Sequence, residues 1–369
     1  MNDSIFHPNY TITPLIESNL ASVERNRYLV DKMLLTAKHE VWLRRVVTVS
    51  RASSTTRIEG ANLDEEAVQA LASHGGAGAN SPDEQDNLNA LEAYDFVDFL
   101  SDQSDIPIDE LVIRQLNRYF IATAAAPLTP GIYRKGSNTV GDFQPADQGD
   151  VPSLMRSFAL WLRNDNDGLH PVLKAGIAHI HLAAIHPFSD GNGRTARGLQ
   201  TLILQRSPFG FKKLLSLESG MFGIRDRYFA AIRETLGTQF SEDYDATPWL
   251  EFISMTTKFA SEIVVDDATD LHRFVESVYS EAPGAGLTTR QIDGYLYSTQ
   301  TGRITRGDYL EITGVSAATA SRDLAEMVTK GLLTMEGKTR SRVYRPVPLE
   351  DRQVPPVPAN QLPLIPDGP

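Results

Sequence analysis

From position 186 to 197 the chain reads His-Pro-Phe-Ser-Asp-Gly-Asn-Gly-Arg-Thr-Ala-Arg. His186 can exchange a proton near neutral pH. Asp190 offers a hard carboxylate oxygen of the kind Mg²⁺ takes while it keeps most of its waters and bridges phosphates. Gly191 and Gly193 free the backbone to turn, and their amides, opening a following helix, form a concavity for an anion. Asn192 can hydrogen-bond a phosphate oxygen. Arg194 and Arg197 lie three apart on that helix, so both guanidinium groups reach one side and suit a polyphosphate. Base, metal ligand, anion nest and paired cations in so short a stretch point to phosphoryl or nucleotidyl transfer.

Other chemistries have less support. The chain contains no cysteine, which excludes disulfides, thiolate metal sites and a cysteine nucleophile. The glycine run at 75–82 is followed by no Gly-Lys-Ser/Thr and reads as a loop. His39-Glu40 lacks the second histidine of a zinc-protease helix, and no Gly-x-Ser-x-Gly elbow is present. His179 and His181 point to different faces of an apolar helical pattern, which suits core or supporting histidines better than zinc.

The stretch 186–197 matches HxFx(D/E)GNGRxxR at every fixed position and so resembles the Fic family. The resemblance extends to PGIYR at 130–134, the hairpin expected after it and the Tyr228–Trp249 region, roughly residues 50–255. It implies a mainly helical core with a small β-hairpin flap, and transfer of AMP from ATP to a Ser, Thr or Tyr hydroxyl of a target protein. Carried over by position, His186 is the general base and Asp190 holds Mg²⁺ between the α- and β-phosphates. Asn192 and the amides of Gly191 and Gly193 stabilise the α-phosphate, while Arg194 and Arg197 bind the departing phosphates. The flap at 136–145 would align a target segment by main-chain pairing, and Tyr228 lies near the adenine. Thr55-Thr56-Arg57-Ile58-Glu59-Gly60 resembles the family's inhibitory motif (S/T)xxxE(G/N), in the class with an N-terminal inhibitory helix. Glu59 paired with Arg197 would take that cation from the γ-phosphate and leave ATP misaligned for attack.

Apolar spacing predicts one long helix over 15–47, further helices at 85–101, 108–122, 152–164, 172–185, 193–205 and 225–236, and another from Pro248 to about Val278. Net charge is −12, yet Arg290–Arg345 holds nine basic against six acidic residues, so this segment is positive within an acidic chain. It reads as a winged helix. Thr305–Ile312 is the first helix of a helix-turn-helix, Gly314 the turn, Ser316 the cap of a second helix over 317–330, and 332–334 and 342–344 are wing strands. Arg322, Lys338, Arg340 and Arg342 are its candidate DNA contacts, while Asp323 and Glu326 oppose such a role.

The expected organisation is therefore mainly α, with a small α+β winged-helix domain after the core. An N-terminal helical region covers 1–104 with the inhibitory helix near 53–60. The catalytic core covers 105–255, a connecting helix and linker 256–288, the winged helix 289–346 and a Pro-rich tail 347–369. Expected partners are ATP, Mg²⁺ and a hydroxyl-bearing target protein, with DNA and a second copy of the chain also open. No membrane span, signal peptide or internal repeat is seen, so a cytoplasmic location is expected. Two other readings remain: a DNA-binding regulator whose body senses nucleotide, and an enzyme of the same site that removes AMP or transfers another phosphate-containing group.

Overall fold

The computed structural model describes residues 5–33, 37–73, 79–122, 129–164, 168–281, 286–337 and 342–347. The chain divides after Asp267 into two units. The first holds helices α1 (Pro14–Lys32), α2 (Ala37–Ile58), α3 (Glu65–Ser73), α4 (Pro82–Asp102), α5 (Glu110–Phe120), α6 (Val151–Arg163), α7 (Pro171–Ile185), α8 (Asn192–Gln205), α9 (Leu217–Gly223) and α10 (Arg225–Leu236). Helix α11 (Thr247–Glu281) runs unbroken through the boundary expected at 255/256 and through the division itself.

The long helix expected over 15–47 is two helices. Met33 leaves helical geometry with ψ 126, and its amide closes α1 on Leu29 and Val30. Periodicity hid the break because both pieces carry apolar residues at helical spacing. The hairpin expected around 136–145 is a single bridge, in which Val140 and Phe143 exchange both main-chain hydrogen bonds at 2.9 and 3.0 Å.

Helix α7 forms the axis of this unit. Its apolar run has no polar stripe, and Val172, Leu173, Ile177, Ile180, Leu182 and Ile185 are all buried. Helix α8 packs along it, and α11 approaches closely at Gly176, where an added side chain would meet Leu250 and Ile253. The Trp249 indole donates to the Gly176 carbonyl at 2.8 Å. Burying an aromatic or large aliphatic side chain contributes about 1.5–3 kcal/mol, and Phe158, Trp161, Phe188, Phe211 and Trp249 all lie in this core. Helix α1 runs beside α11 in register: Thr13 donates to Glu251, Asn19 to Ser254 and Asn26 to Ser261, at 2.7, 3.1 and 2.9 Å.

A turn from Pro208 to Lys213 holds three consecutive non-glycine residues at positive φ, namely Phe211, Lys212 and Lys213. Such backbone costs about 1–2 kcal/mol per residue. Arginines of α2 cover its carbonyls: Arg44 donates to Lys212 at 3.0 Å, and Arg51 to Lys213 and Leu215 at 2.9 and 2.7 Å. The turn thereby fixes α2 against the body.

The second unit contains α12 (Thr289–Thr301), α13 (Arg306–Thr313), α14 (Ala317–Thr329) and the antiparallel pair β1 (Leu333–Glu336) and β2 (Val343–Pro346). Ile304 adds a bridge to Tyr344 with bonds of 2.7 and 2.9 Å. Thr305 caps α13 in a capping box with Asp308, Gly314 ends it at φ 67, and Ser316 caps α14. Ala320, Leu324 and Met327 face inward, whereas Val328 is half-buried.

Candidate active site

Helix α7 ends at His186 in the left-handed region, φ 51 and ψ 57. Arg134 holds this unfavourable turn by collecting carbonyls from both of its sides. Nε donates to His186 at 2.8 Å, Nη1 to Gly136 at 3.0 Å, and Nη2 to Ile185 at 3.4 Å and to Ala146. The Arg134 amide also donates to Pro187 at 2.9 Å. Burial is the largest influence on the His186 ring and pulls its pKa down to about 4, with Arg134 adding to this. A hydrogen bond to the Ala183 carbonyl and the nearby Glu59 and Asp190 oppose the fall. The imidazole is therefore neutral at pH 7 and able to accept a proton.

The loop onto α8 is closed by its own side chains. Asn192 accepts from the Phe188 amide at 2.9 Å and donates to the Phe188 carbonyl at 2.8 Å. The residue expected to meet a phosphate thus staples the loop, with both ends of its carboxamide engaged. Asn117 of α5 ties the same loop from outside. It donates to the Asp190 carbonyl at 2.9 Å and to Thr195 at 3.2 Å, and accepts from the Gly131 amide at 2.9 Å. Gly191 caps α8 at φ 74 with no side chain to satisfy the first-turn amides, and a Cβ there would lie 2.7 Å from Ile121. These amides and the helix dipole favour negative charge at this point.

A carboxylate occupies that point. Glu59, just beyond α2, places Oε1 2.6 Å from where a Gly193 Cβ would stand, so only glycine permits the approach. The same oxygen accepts from Arg197 Nη2 at 2.6 Å. Arg197 also donates from Nε to Thr55 Oγ1 at 2.7 Å, from Nη2 to the Thr55 carbonyl at 3.1 Å, and from Nη1 to the Tyr228 hydroxyl at 3.1 Å. The Arg197 side chain is 1% exposed, whereas Glu59 keeps 42% of its surface exposed. Crowding by protein raises the Glu59 pKa, but Arg197, Arg194 and His186 outweigh this and hold it below the usual carboxylate range.

Arg194 is held more loosely, 3.2 Å from Asp86 and 3.4 Å from Asp190. Asp190 accepts from the Gly191 amide at 2.6 Å and leaves its side chain 47% exposed. Among the described residues no three His, Cys, Asp or Glu groups cluster to hold a metal, and no helix is long and apolar enough to cross a membrane.

The structure therefore brings His186, Asp190, Gly191, Gly193, Arg194, Arg197 and Glu59 together. Tyr228 differs from expectation. It is 2% exposed and packed edge-on to Trp249 and Phe229, so its ring offers no stacking surface for a base. Its hydroxyl instead meets Arg197, with His179 behind it at 3.2 Å. His181 is likewise a core residue, stacked on Phe6 with ring centroids 3.5 Å apart. Sequence reasoning assigned no role to Thr55, Asn117 or Arg134, and it read His179 as a core or supporting histidine. Thr55 is the hydroxyl position of the inhibitory pattern and Arg134 closes PGIYR, so two of them carried a signal.

In the second unit Arg322 is 70% exposed on α14, and Arg342 is exposed beside β2. Lys338 and Arg340 lie outside the described residues. Asp323 turns inward to 1% exposure, where Arg290 and the Tyr309 hydroxyl bind it at 2.5 and 3.1 Å. Glu326 is engaged by Lys330 and Gln291.

Residues 107–204 match the Fic/DOC family model. Protein adenylyltransferase Fic of Drosophila yakuba is 29% identical over 167 residues, 45% of this chain and 31% of that protein. The counterpart in Drosophila persimilis is 28% identical over 189 residues, 51% of this chain and 34% of its own. The match thus spans about a third of the length of these curated relatives. Among solved structures, a Fic family protein from Desulfovibrio desulfuricans superposes with a TM-score of 0.59 at 22% identity, covering 93% of this chain and 98% of that one. Fic-1 from C. elegans gives 0.57 at 22% identity, covering 71% and 75%. At such identity these two likenesses speak for the fold. The family match falls on α5 to α8 and their loops, so this region of the chain is similar to the Fic/DOC family domain.

Proposed function

We propose that the protein is an auto-inhibited AMP-transferase, which moves AMP from ATP to a Ser, Thr or Tyr hydroxyl of a target protein, itself included. One observation carries this reading: the uncapped first turn of α8, flanked by Arg194 and Arg197 and facing the neutral His186, already holds an anionic side chain. The names of the curated relatives support AMP as the group moved.

In this reaction the target oxygen attacks the α-phosphorus. A new O–P bond forms as the bond from the α-phosphorus to the bridging oxygen breaks, and pyrophosphate leaves. His186 takes the hydroxyl proton. The α8 amides receive the charge that builds on the α-phosphate, and Arg194 and Arg197 hold the departing phosphates. Asn192 contributes by fixing the loop. Asp190 fits Mg²⁺ arriving with ATP, since one exposed hard oxygen suffices for an ion that otherwise keeps waters and phosphates. Bound there, the ion would neutralise negative charge on the phosphates.

Glu59 acts as the brake. Its carboxylate occupies the helix terminus and Arg197 together, so the phosphates cannot settle in the attacking geometry until it leaves. The test incubates full-length wild type, Glu59→Gly and His186→Ala proteins with labelled nucleotides and lysate, followed by mass spectrometry of modified hydroxyls. Glu59→Gly labels more than wild type, and His186→Ala does not label. Equal labelling by wild type and Glu59→Gly ends the brake. Nucleotide binding without any labelling moves the reading to a sensor, and loss of AMP from a modified target moves it to removal.

For the second unit we infer a winged helix that contacts DNA through Arg322, Lys338, Arg340 and Arg342. The inward turn of Asp323 supports this, because the acid that opposed the role is spent on Arg290 inside the unit. A labelled duplex is shifted by the full chain, less so as salt rises. No shift at low salt ends this part of the proposal.

A further inference from the structure

The buried Arg197 bonds mostly to α2 and the residue after it, twice to Thr55 and once to Glu59. Release of Glu59 by movement of that segment would remove these partners together. The exception is Tyr228, which belongs to α10 and so to the body.

The direction of the Tyr228 hydroxyl follows from the groups behind it. His179 Nδ1 lies 2.6 Å from Gln200 Oε1, an oxygen that can only accept. Nδ1 therefore carries the proton. Burial pulls the His179 pKa down to about 3, so the ring holds one proton and Nε2 is bare. The Tyr228 hydroxyl, 3.2 Å from Nε2, donates to it. Its lone pairs are then turned toward Arg197 Nη1 at 3.1 Å. The reversed histidine tautomer would leave the hydroxyl between two donors. Trp249, Phe252 and Phe229 pack around the tyrosine ring and hold it in place.

We infer that Tyr228, oriented by His179 and Gln200, is the positioning residue that keeps the Arg197 guanidinium aimed at the α8 terminus after Glu59 has left. The inference rests on the reading of Arg197 as a phosphate ligand. Tyr228 and His179 touch no nucleotide; they act through the cation.

The test uses the full chain in the Glu59→Gly background, with calorimetric binding of ATP and AMP, labelling kinetics and thermal unfolding for each variant. AMP serves as the control because it lacks the phosphates assigned to Arg197. Tyr228→Phe keeps the ring and removes one hydrogen bond to a charged group, so ATP binds about tenfold more weakly while AMP affinity stays within about twofold. His179→Leu removes the acceptor behind the hydroxyl and gives the same split. His179→Gln, with a carboxamide oxygen for Tyr228, recovers most of the ATP affinity although its packing is equally disturbed. ATP affinity unchanged in Tyr228→Phe overturns the inference, as does a parallel loss of ATP and AMP. A Glu59→Gly parent that binds no ATP overturns the phosphate reading itself, and is seen before any variant is compared.

Discussion

Two arginine–carboxylate pairs, one from each unit, tie distant elements and are built in opposite senses. In the first, Arg197 is the buried partner at 1% exposure and Glu59 the accessible one at 42%. In the second, Asp323 is buried at 1% and Arg290 keeps 37% of its surface. The fold holds the buried charge through further bonds, whereas the accessible charge can be replaced from solvent. A fixed cation with a replaceable anion describes a site that can exchange a carboxylate for a phosphate. A fixed anion with an exposed cation describes a tie that holds α12 to α14.

The largest expected contrast is in activity. Glu59→Gly raises labelling about 10- to 100-fold, in keeping with one to two charge-assisted contacts freed for phosphate, whereas Asp323→Ala leaves labelling unchanged. Equal effects of the two substitutions would erase the distinction. Stability should respond the other way, and more modestly. Asp323→Ala leaves the buried Tyr309 hydroxyl without an acceptor, costing about 1–3 kcal/mol, read as lost amide protection within 289–346. Glu59→Gly leaves Arg197 with Thr55 and Tyr228 and opens the cleft to water, so protection around α8 falls little.

A third contrast is in pH dependence. Burial holds the pKa values of His179 and His181 at about 3 and that of His186 at about 4. Below about 6.5 the unfolded chain takes up protons that the fold refuses. Stability of the first unit is therefore complete above that pH and declines as pH falls toward 4. The segment 289–346 contains no histidine. Hydrogen exchange at pH 6.5 and 4.5, corrected for the intrinsic rate, shows loss in the first unit alone; equal loss in both removes the role of the buried imidazoles.

The loop from His186 to Arg197 was legible because its chemistry is contiguous in the chain. Its supports were not. Thr55 and Tyr228 reach Arg197 from 142 and 31 positions away, and a residue type alone does not tell a core tyrosine from one beside a nucleotide. Helices α13 and α14 were legible through their caps, since Thr305, Gly314 and Ser316 punctuate them locally. The orientation of Asp323 was available and overlooked. It lies three residues after Ala320 and four before Met327, on the inward stripe of α14. The break after Met33 left no mark in the apolar pattern, and the expected flap strands shrank to one bridge.

The segment before α1 has a consequence for the order of assembly. Phe6 stacks on His181, Asn9 pairs with the Asp245–Ala246 backbone, and the Thr11 amide donates to Thr247, 236 positions away. His181 is made midway through the first unit, but during synthesis the partners at 245–247 reach the growing chain only after α2 to α10. The segment therefore waits while α2 to α10 collapse, and closes a loop whose entropic cost is among the largest in the molecule. The first residues described are among the last to find their place, and closing them sets α1 in register with α11.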